Sequence, residues 1–224
     1  VKQNTLLFAL TGPLLCGALA ARPARAAETM VKIVYRALTP QTDPKSFAAM
    51  PRTLYRQGVR YARMEEEPDR GRDLQSLLVI DEPNVWQINL LKGTGQHIMD
   101  PGPTFEFRAP ILAPGPGEST KDFAASARAG FEFGRELEFL RAHGAAQLAA
   151  TVIDGRKCDP YKLKLGGQGV ILYVLAGTRK PWRLAVFQND KLALAVMYDR
   201  YETDLPPEPR LFAPPAGIAL TEAR

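Results

Sequence analysis

The side chains best able to do chemistry are few and scattered. His97 stands in EPNVWQINLLKGTGQHIMDPGP, residues 82–103, with Asp81, Glu82 and Asp100 near it in the chain. His143 is the other histidine, and Cys16 and Cys158 are the two cysteines. A zinc or hydrolytic site needs several histidines, or a nucleophile with a base and an orienting group. The alternation around His97 argues for something plainer. Trp86, Ile88 and Leu90 share one strand face, KGTG turns the chain, and His97 and Met99 share a face of the next strand. This stretch is expected to be a hairpin, with Trp86 buried against the sheet's cover and His97 dispensable.

Other candidates fail on similar grounds. GRKCDPY sets Cys158 beside Arg156 and Lys157 but offers no histidine, so it reads as a small, partly buried thiol. The glutamates of MEEEPD, residues 64–69, are consecutive, so on a strand they point to opposite faces and do not converge. GGQG at Gly166–Gly169 lacks the Lys-Ser/Thr of a phosphate loop and joins two strands rather than a strand and a helix. The expectation is a non-enzymatic protein with no catalytic residue, no metal and no cofactor. A hydrolase using Cys158 or His97 is the reading against it.

The start of the chain narrows the compartment. Lys2 precedes LLFALTGPLLCGALA, an apolar run too short and too broken by Gly12 and Pro13 to span a bilayer. Ala24-Arg25-Ala26 then supplies a small-x-small cleavage pattern. Residues 1–26 are therefore expected to be a signal peptide cut before Ala27, leaving one domain over 27–224 in the periplasm. Cys16 is preceded by Leu15 rather than a small residue, so lipid attachment there is not expected. The whole chain carries 29 basic and 24 acidic residues, but residues 1–26 hold three of the bases and no acid. The remainder is close to balanced, with no basic stripe interleaved with aromatics, so nucleic acid is not an expected partner. With Cys158 alone in the mature chain, no internal disulfide forms.

About ten strands are legible from period-two patterning: MVKIVYRAL, RTLYRQGVRYARMEEE as a pair, LQSLLVID, NVWQINLL, GQHIMD, AQLAATVID, CDPYKLKL, GVILYVLAG, PWRLAVFQ and KLALAVMYDRYET. DGRK, GGQG, GTRKP and QNDK have hairpin length and turn chemistry. One segment, GFEFGRELEFLRAHGA, places Phe133, Leu137 and Leu140 on one helical face, with Gly144 as its stop. A second helix is expected over Ser119–Arg128. Proline-rich breaks fall at Ala109–Thr120 and Asp204–Gly217. The fold class is thus α+β, mostly β, an antiparallel meander interrupted by helices. Leu192, Leu194, Val196 and Tyr198 fall on one face of their strand, and with Leu184 and Val186 they give the sheet a broad apolar wall.

The order of signal peptide, hairpins, helical insertion, hairpins and proline-rich ending resembles the LolA/LolB superfamily of periplasmic lipoprotein carriers and outer-membrane lipoprotein-sorting proteins. The most telling residues are Leu205-Pro206 and Phe212-Ala213-Pro214-Pro215-Ala216-Gly217, similar to an LP…F…PPxG ending. DGRKCDPYKL, residues 154–163, also resembles the strand-turn-strand that opens the family's second half. The likeness implies a strongly curved, incomplete antiparallel barrel covered by one to three helices, with acyl chains held between sheet and helices. No carrier-specific residue transfers. The expected task is binding or carrying a lipid or the acyl chains of a lipoprotein, with Leu137, Leu140, Leu194 and Val196 lining or bordering the cavity. Transient membrane-surface contact would accompany it. The alternative is an envelope interaction or stress-sensing module of the same fold with envelope proteins as partners and no lipid cargo.

Overall fold

The computed structural model describes residues 28–99, 131–165 and 168–223. The expected signal peptide, the Ser119–Arg128 helix, the Ala109–Thr120 break and Asp100 lie outside them. The strands are β1 (Met30–Leu38), β2 (Arg52–Gln57), β3 (Tyr61–Glu66), β4 (Ser76–Asp81), β5 (Asn84–Asn89) and β6 (Thr94–Met99). Helix α1 (Glu136–Ala142) follows, then β7 (Ala146–Gln147), β8 (Thr151–Ile153), β9 (Arg156–Leu165), β10 (Gln168–Leu175), β11 (Pro181–Gln188), β12 (Lys191–Leu205) and β13 (Ala219–Glu222). They form one sheet in the order β13-β6-β5-β4-β3-β2-β1-β12-β11-β10-β9-β7, with β8 also on β9. The sheet is curved and unclosed, as expected.

Two antiparallel meanders, β1–β6 and β9–β12, are sewn together by β1 against β12, where Ile33 faces Tyr201 and Tyr35 faces Tyr198. Turn chemistry sets the register. Asn189 and Asp190 both take positive φ (50° and 59°) between Gln188 and Lys191. Asp154 and Gly155 do the same between Ile153 and Arg156. Two such residues make the short turn whose twist matches a hairpin.

Register then decides what each face carries. Ile33, Leu54, Met64, Leu78, Gln87 and Gln96 form one row across β1–β6. That row lies on the inner face, the one α1 covers, because Ile33 and Leu54 share a buried cluster with Phe139 and Leu140 of α1. The outer face of the first meander has a separate cluster of Leu77, Val79 and Ile88, against which Trp86, Leu90 and Ile218 pack. The chain after β12 crosses this outer face. Phe212 packs against Tyr61 in a tilted pair with ring centres 5.4 Å apart, and Arg63 Nη1 donates to the Leu211 carbonyl at 3.0 Å. The tail then adds β13 parallel to β6.

Several expectations need correction. The helix is shorter than its apolar pattern: Gly134 takes φ 85° and breaks the backbone after Phe133, so α1 begins at Glu136. Phe133 nevertheless reaches the same core as Leu137 and Leu140. Gly144 ends α1 as expected, at φ 72°, with its N–H on the Arg141 carbonyl and that of Ala145 on the Leu140 carbonyl. AQLAATVID is two short strands, both on β9, rather than one. Trp86 is half-buried, because its cover on the outer face is the thin C-terminal tail.

Candidate functional site on the helix-covered face

The C-terminal half of the inner face is packed solid. Val170, Leu172, Leu184 and Val196 from the sheet meet Phe131, Phe133, Phe139 and Leu140 from the covering segment. Of the four residues expected to border a lipid cavity, Leu140 (0% exposed) and Val196 (1%) are sealed inside this cluster. Leu137 and Leu194 lie partly buried at its margin. The structure therefore brings all four together, in a filled core. Aromatic contacts tighten it, with Tyr35 and Phe133 at 4.2 Å and Phe131 and Phe139 at 5.2 Å.

Buried charge pins the cover to the sheet. Arg56 on β2 pairs with Glu132, and both are enclosed. The same guanidinium donates from Nε to the Gly58 carbonyl at 3.0 Å. Glu136, at the first turn of α1, is fully buried and accepts from the hydroxyls of Tyr198 at 3.1 Å and Tyr201 at 2.7 Å. Burial raises the Glu136 pKa, and the two phenols oppose that shift only in part. Burial, followed by the Glu136 charge, pushes Tyr198 and Tyr201 well above the ordinary tyrosine value. Sequence reading missed this network. Its one signal was that Glu136 sits four residues before Leu140, on the apolar face of the helix pattern.

The N-terminal half of the same face is different. A cavity of about 690 Å³ lies over β3–β6 and β13. Met64, Leu74 and Leu78 give it an apolar end; Ser76, Gln87, Asn89, Thr94, Gln96 and Thr221 supply hydroxyls and carboxamides. Its volume falls within the roughly 300–1,000 Å³ typical of small-molecule sites. The alternation had assigned these strands correctly but gave no weight to their polar inner positions.

The rejected chemical candidates are all engaged elsewhere. His97 faces Trp86 across the β5–β6 hairpin, stacks on it at 5.3 Å, and bonds Asn84 at 3.0 Å and Glu222 at 2.9 Å on the outer face. His143 bonds the Phe139 carbonyl at 2.9 Å at the end of α1. Cys158 is fully buried, and burial followed by the Asp159 charge raises its thiol pKa, the wrong direction for a nucleophile. Glu65 pairs with Arg63 and Glu66 with Arg52, on opposite faces. Among the described residues no three His, Cys, Asp or Glu side chains cluster as metal ligands, and no helix is long and apolar enough to cross a membrane.

No protein-family model matches the sequence, and no curated protein matches it. Solved structures do match in shape. An uncharacterised conserved protein from Thermus thermophilus superposes with TM-score 0.51 at 11% identity, over 88% of this chain and 91% of that one. A chain of the Pseudomonas aeruginosa MucA/MucB complex superposes with TM-score 0.44 at 11% identity, over 83% of this chain and 56% of that one. A LolA superfamily protein from Nitrosomonas europaea gives 0.36 at 9% identity, over 84% and 90%. At such identities the Thermus likeness speaks to the fold alone. The curved, unclosed and mostly antiparallel sheet with a helix across one face is thus shared, as a fold, with the Thermus protein.

Proposed function

We infer that this is a non-enzymatic periplasmic protein that binds a lipid or the acyl chains of a lipoprotein, touching membrane surfaces transiently as it does so. The observation that carries this reading is the 690 Å³ cavity on the helix-covered face, with its apolar end at Met64, Leu74 and Leu78. Each buried methylene contributes about 0.8 kcal/mol, so a chain gains affinity there without directional contacts. The polar positions at Gln87 and Gln96 suit an ester or amide at the head of such a chain, while the Asn89 carboxamide is held by Gln75, Leu91 and Asp73 backbone groups. Leu137, Leu140, Leu194 and Val196 belong to the filled core under α1, which a chain enters only if α1 lifts.

The packed C-terminal half favours a second reading, an envelope interaction or stress-sensing module that carries no lipid and works at its edges. Native mass spectrometry of the protein purified from the periplasm, beside displacement of a fluorescent fatty acid, separates the two. Leu78→Trp should abolish probe binding while leaving the melt unchanged, and Leu194→Phe should weaken binding only if α1 opens. His97→Ala should leave binding intact. A parent protein that carries no lipid and never binds the probe sinks the carrier reading.

A further inference from the structure

A cleft of about 210 Å³ lies between α1 and the β10–β11 turn and shares no lining residue with the larger cavity. Three of its lining side chains are cations, Arg135, Arg179 and Lys180, against one anion, Glu138. Arg141 stands one helical turn after Glu138 on α1, outside the cleft's lining. Arg141 and Arg179 both donate to the hydroxyl oxygen of Tyr161, at 3.4 and 2.6 Å. Burial alone would raise that phenol's pKa; the two guanidinium hydrogen bonds outweigh it, and the pKa falls. The opposing charges are few: Asp159 meets Arg179 at 3.4 Å, and the largely exposed Glu138 meets Arg135 at 3.7 Å. Lys180 has no ion-pair partner among the described residues.

Two guanidiniums drawn to one neutral oxygen repel each other, and an unpaired ammonium beside them adds to the excess. Both guanidiniums also lie over the Tyr161 ring, 5.6 and 5.8 Å from its centre, which offsets part of that repulsion. Tyr161 would be satisfied by one donor, and Arg179 holds a left-handed φ of 60° that glycine or asparagine would adopt at lower cost. A tetrahedral oxyanion in the cleft offsets the excess charge of Arg135, Arg179 and Lys180, because guanidinium forks match phosphate oxygens in pairs and an ammonium completes the charge balance. We propose that the cleft between α1 and the β10–β11 turn binds a phosphate group, carried by an amphiphile's headgroup or free in solution. The site does not depend on acyl chains occupying the larger cavity.

The test is calorimetric titration of the full chain at low salt with inorganic phosphate, and separately with short-chain phosphatidic acid below its micelle concentration. Sodium chloride at matched ionic strength is the control. Binding of either probe should weaken about tenfold or more in Arg135→Gln/Lys180→Gln, with an unchanged melt in buffer, and Lys180→Arg should retain it. Tighter binding of the phosphatidic acid than of phosphate assigns the site to a headgroup; equal binding assigns it to the free ion. The proposal is overturned if neither probe binds beyond the chloride control at millimolar concentration, or if the double variant binds as the parent does.

Discussion

On the C-terminal strands the inner positions are Val170, Leu172, Leu184 and Val196, and they close against four residues of the covering segment. On β4–β6 the same pleat presents Ser76, Leu78, Gln87, Asn89, Thr94 and Gln96, and there the face holds a cavity. Both halves obey one alternation, and both lie on one side of one sheet. What differs is side-chain volume and polarity at the inward sites. Branched and aromatic side chains interdigitate with a helix at close-packed density. Carboxamides and hydroxyls do not, since closing over them would leave polar groups without partners. Fold and cavity are therefore separable here: alternation specifies the sheet, and the chemistry of alternate positions specifies where it stays hollow.

The sharpest way to break this comparison is at the buried charge that holds the cover on the filled half. Arg56→Met leaves Glu132 enclosed without its cation, and should cost about 3–5 kcal/mol in a denaturant melt. Arg56→Met/Glu132→Leu should recover most of that loss. A single variant as stable as the parent would mean the segment before α1 is not anchored there. Next comes truncation. Leu140→Ala should cost about 2–5 kcal/mol, because the void is enclosed on every side. Leu78→Ala, bordering an existing cavity, should fall below that range. Equal losses would show that the two halves are equally packed.

Enlargement sharpens the same contrast. Val196→Phe drives a ring into a sealed site and should cost about 1–3 kcal/mol through strain. Leu194→Phe, at the cluster margin, should cost less than about 1 kcal/mol by the same measure. If both are tolerated, the core under α1 is looser than its contacts imply, and a chain can enter it.

Much of the architecture was legible in the chain. Val31, Ile33 and Tyr35 alternate with Lys32, Val34 and Arg36, and β1 buries Ile33 and Tyr35 as that predicts. QNDK and DGRK supplied their turns because two adjacent left-handed residues are a local property. Features set by distant partners were hidden. β13 lies within ALTE, whose exposed alternation is mute until β6 is there to pair with it. Phe133 satisfied the helical spacing, but Gly134 outweighed it, because a positive φ cannot continue a helix. The site was least legible: Leu137, Leu140, Leu194 and Val196 were expected to border a cavity and meet in one cluster, yet no pattern says whether a face is filled or hollow. That depends on Phe131 and Phe139 meeting Leu172 and Leu184 across the fold.

The smallest expected effect is a slope, and it tests whether Glu136 is part of the filling. Its folded-state pKa lies above its ordinary value of 4.5, because burial disfavours the carboxylate more than Tyr201 and Tyr198 support it. A raised pKa fixes the sign. The folded state binds the proton more tightly than the unfolded chain, so the stabilising contribution is complete below the unfolded value. It is lost as pH rises from there through the folded value. Glutamine has almost the same shape, accepts a phenol hydrogen bond through its carbonyl oxygen and cannot ionise. Stability of the parent minus that of Glu136→Gln should therefore decline as pH climbs above about 4.5, then level off once the carboxylate is ionised in both states. Other titrating groups cancel in this difference, since both proteins carry them. The measurement is a set of paired denaturant melts across the acid-to-neutral range. A difference that rises with pH would mean the ionised carboxylate is better solvated under α1 than in water, and would place Glu136 at a wet boundary of the packed half rather than inside it.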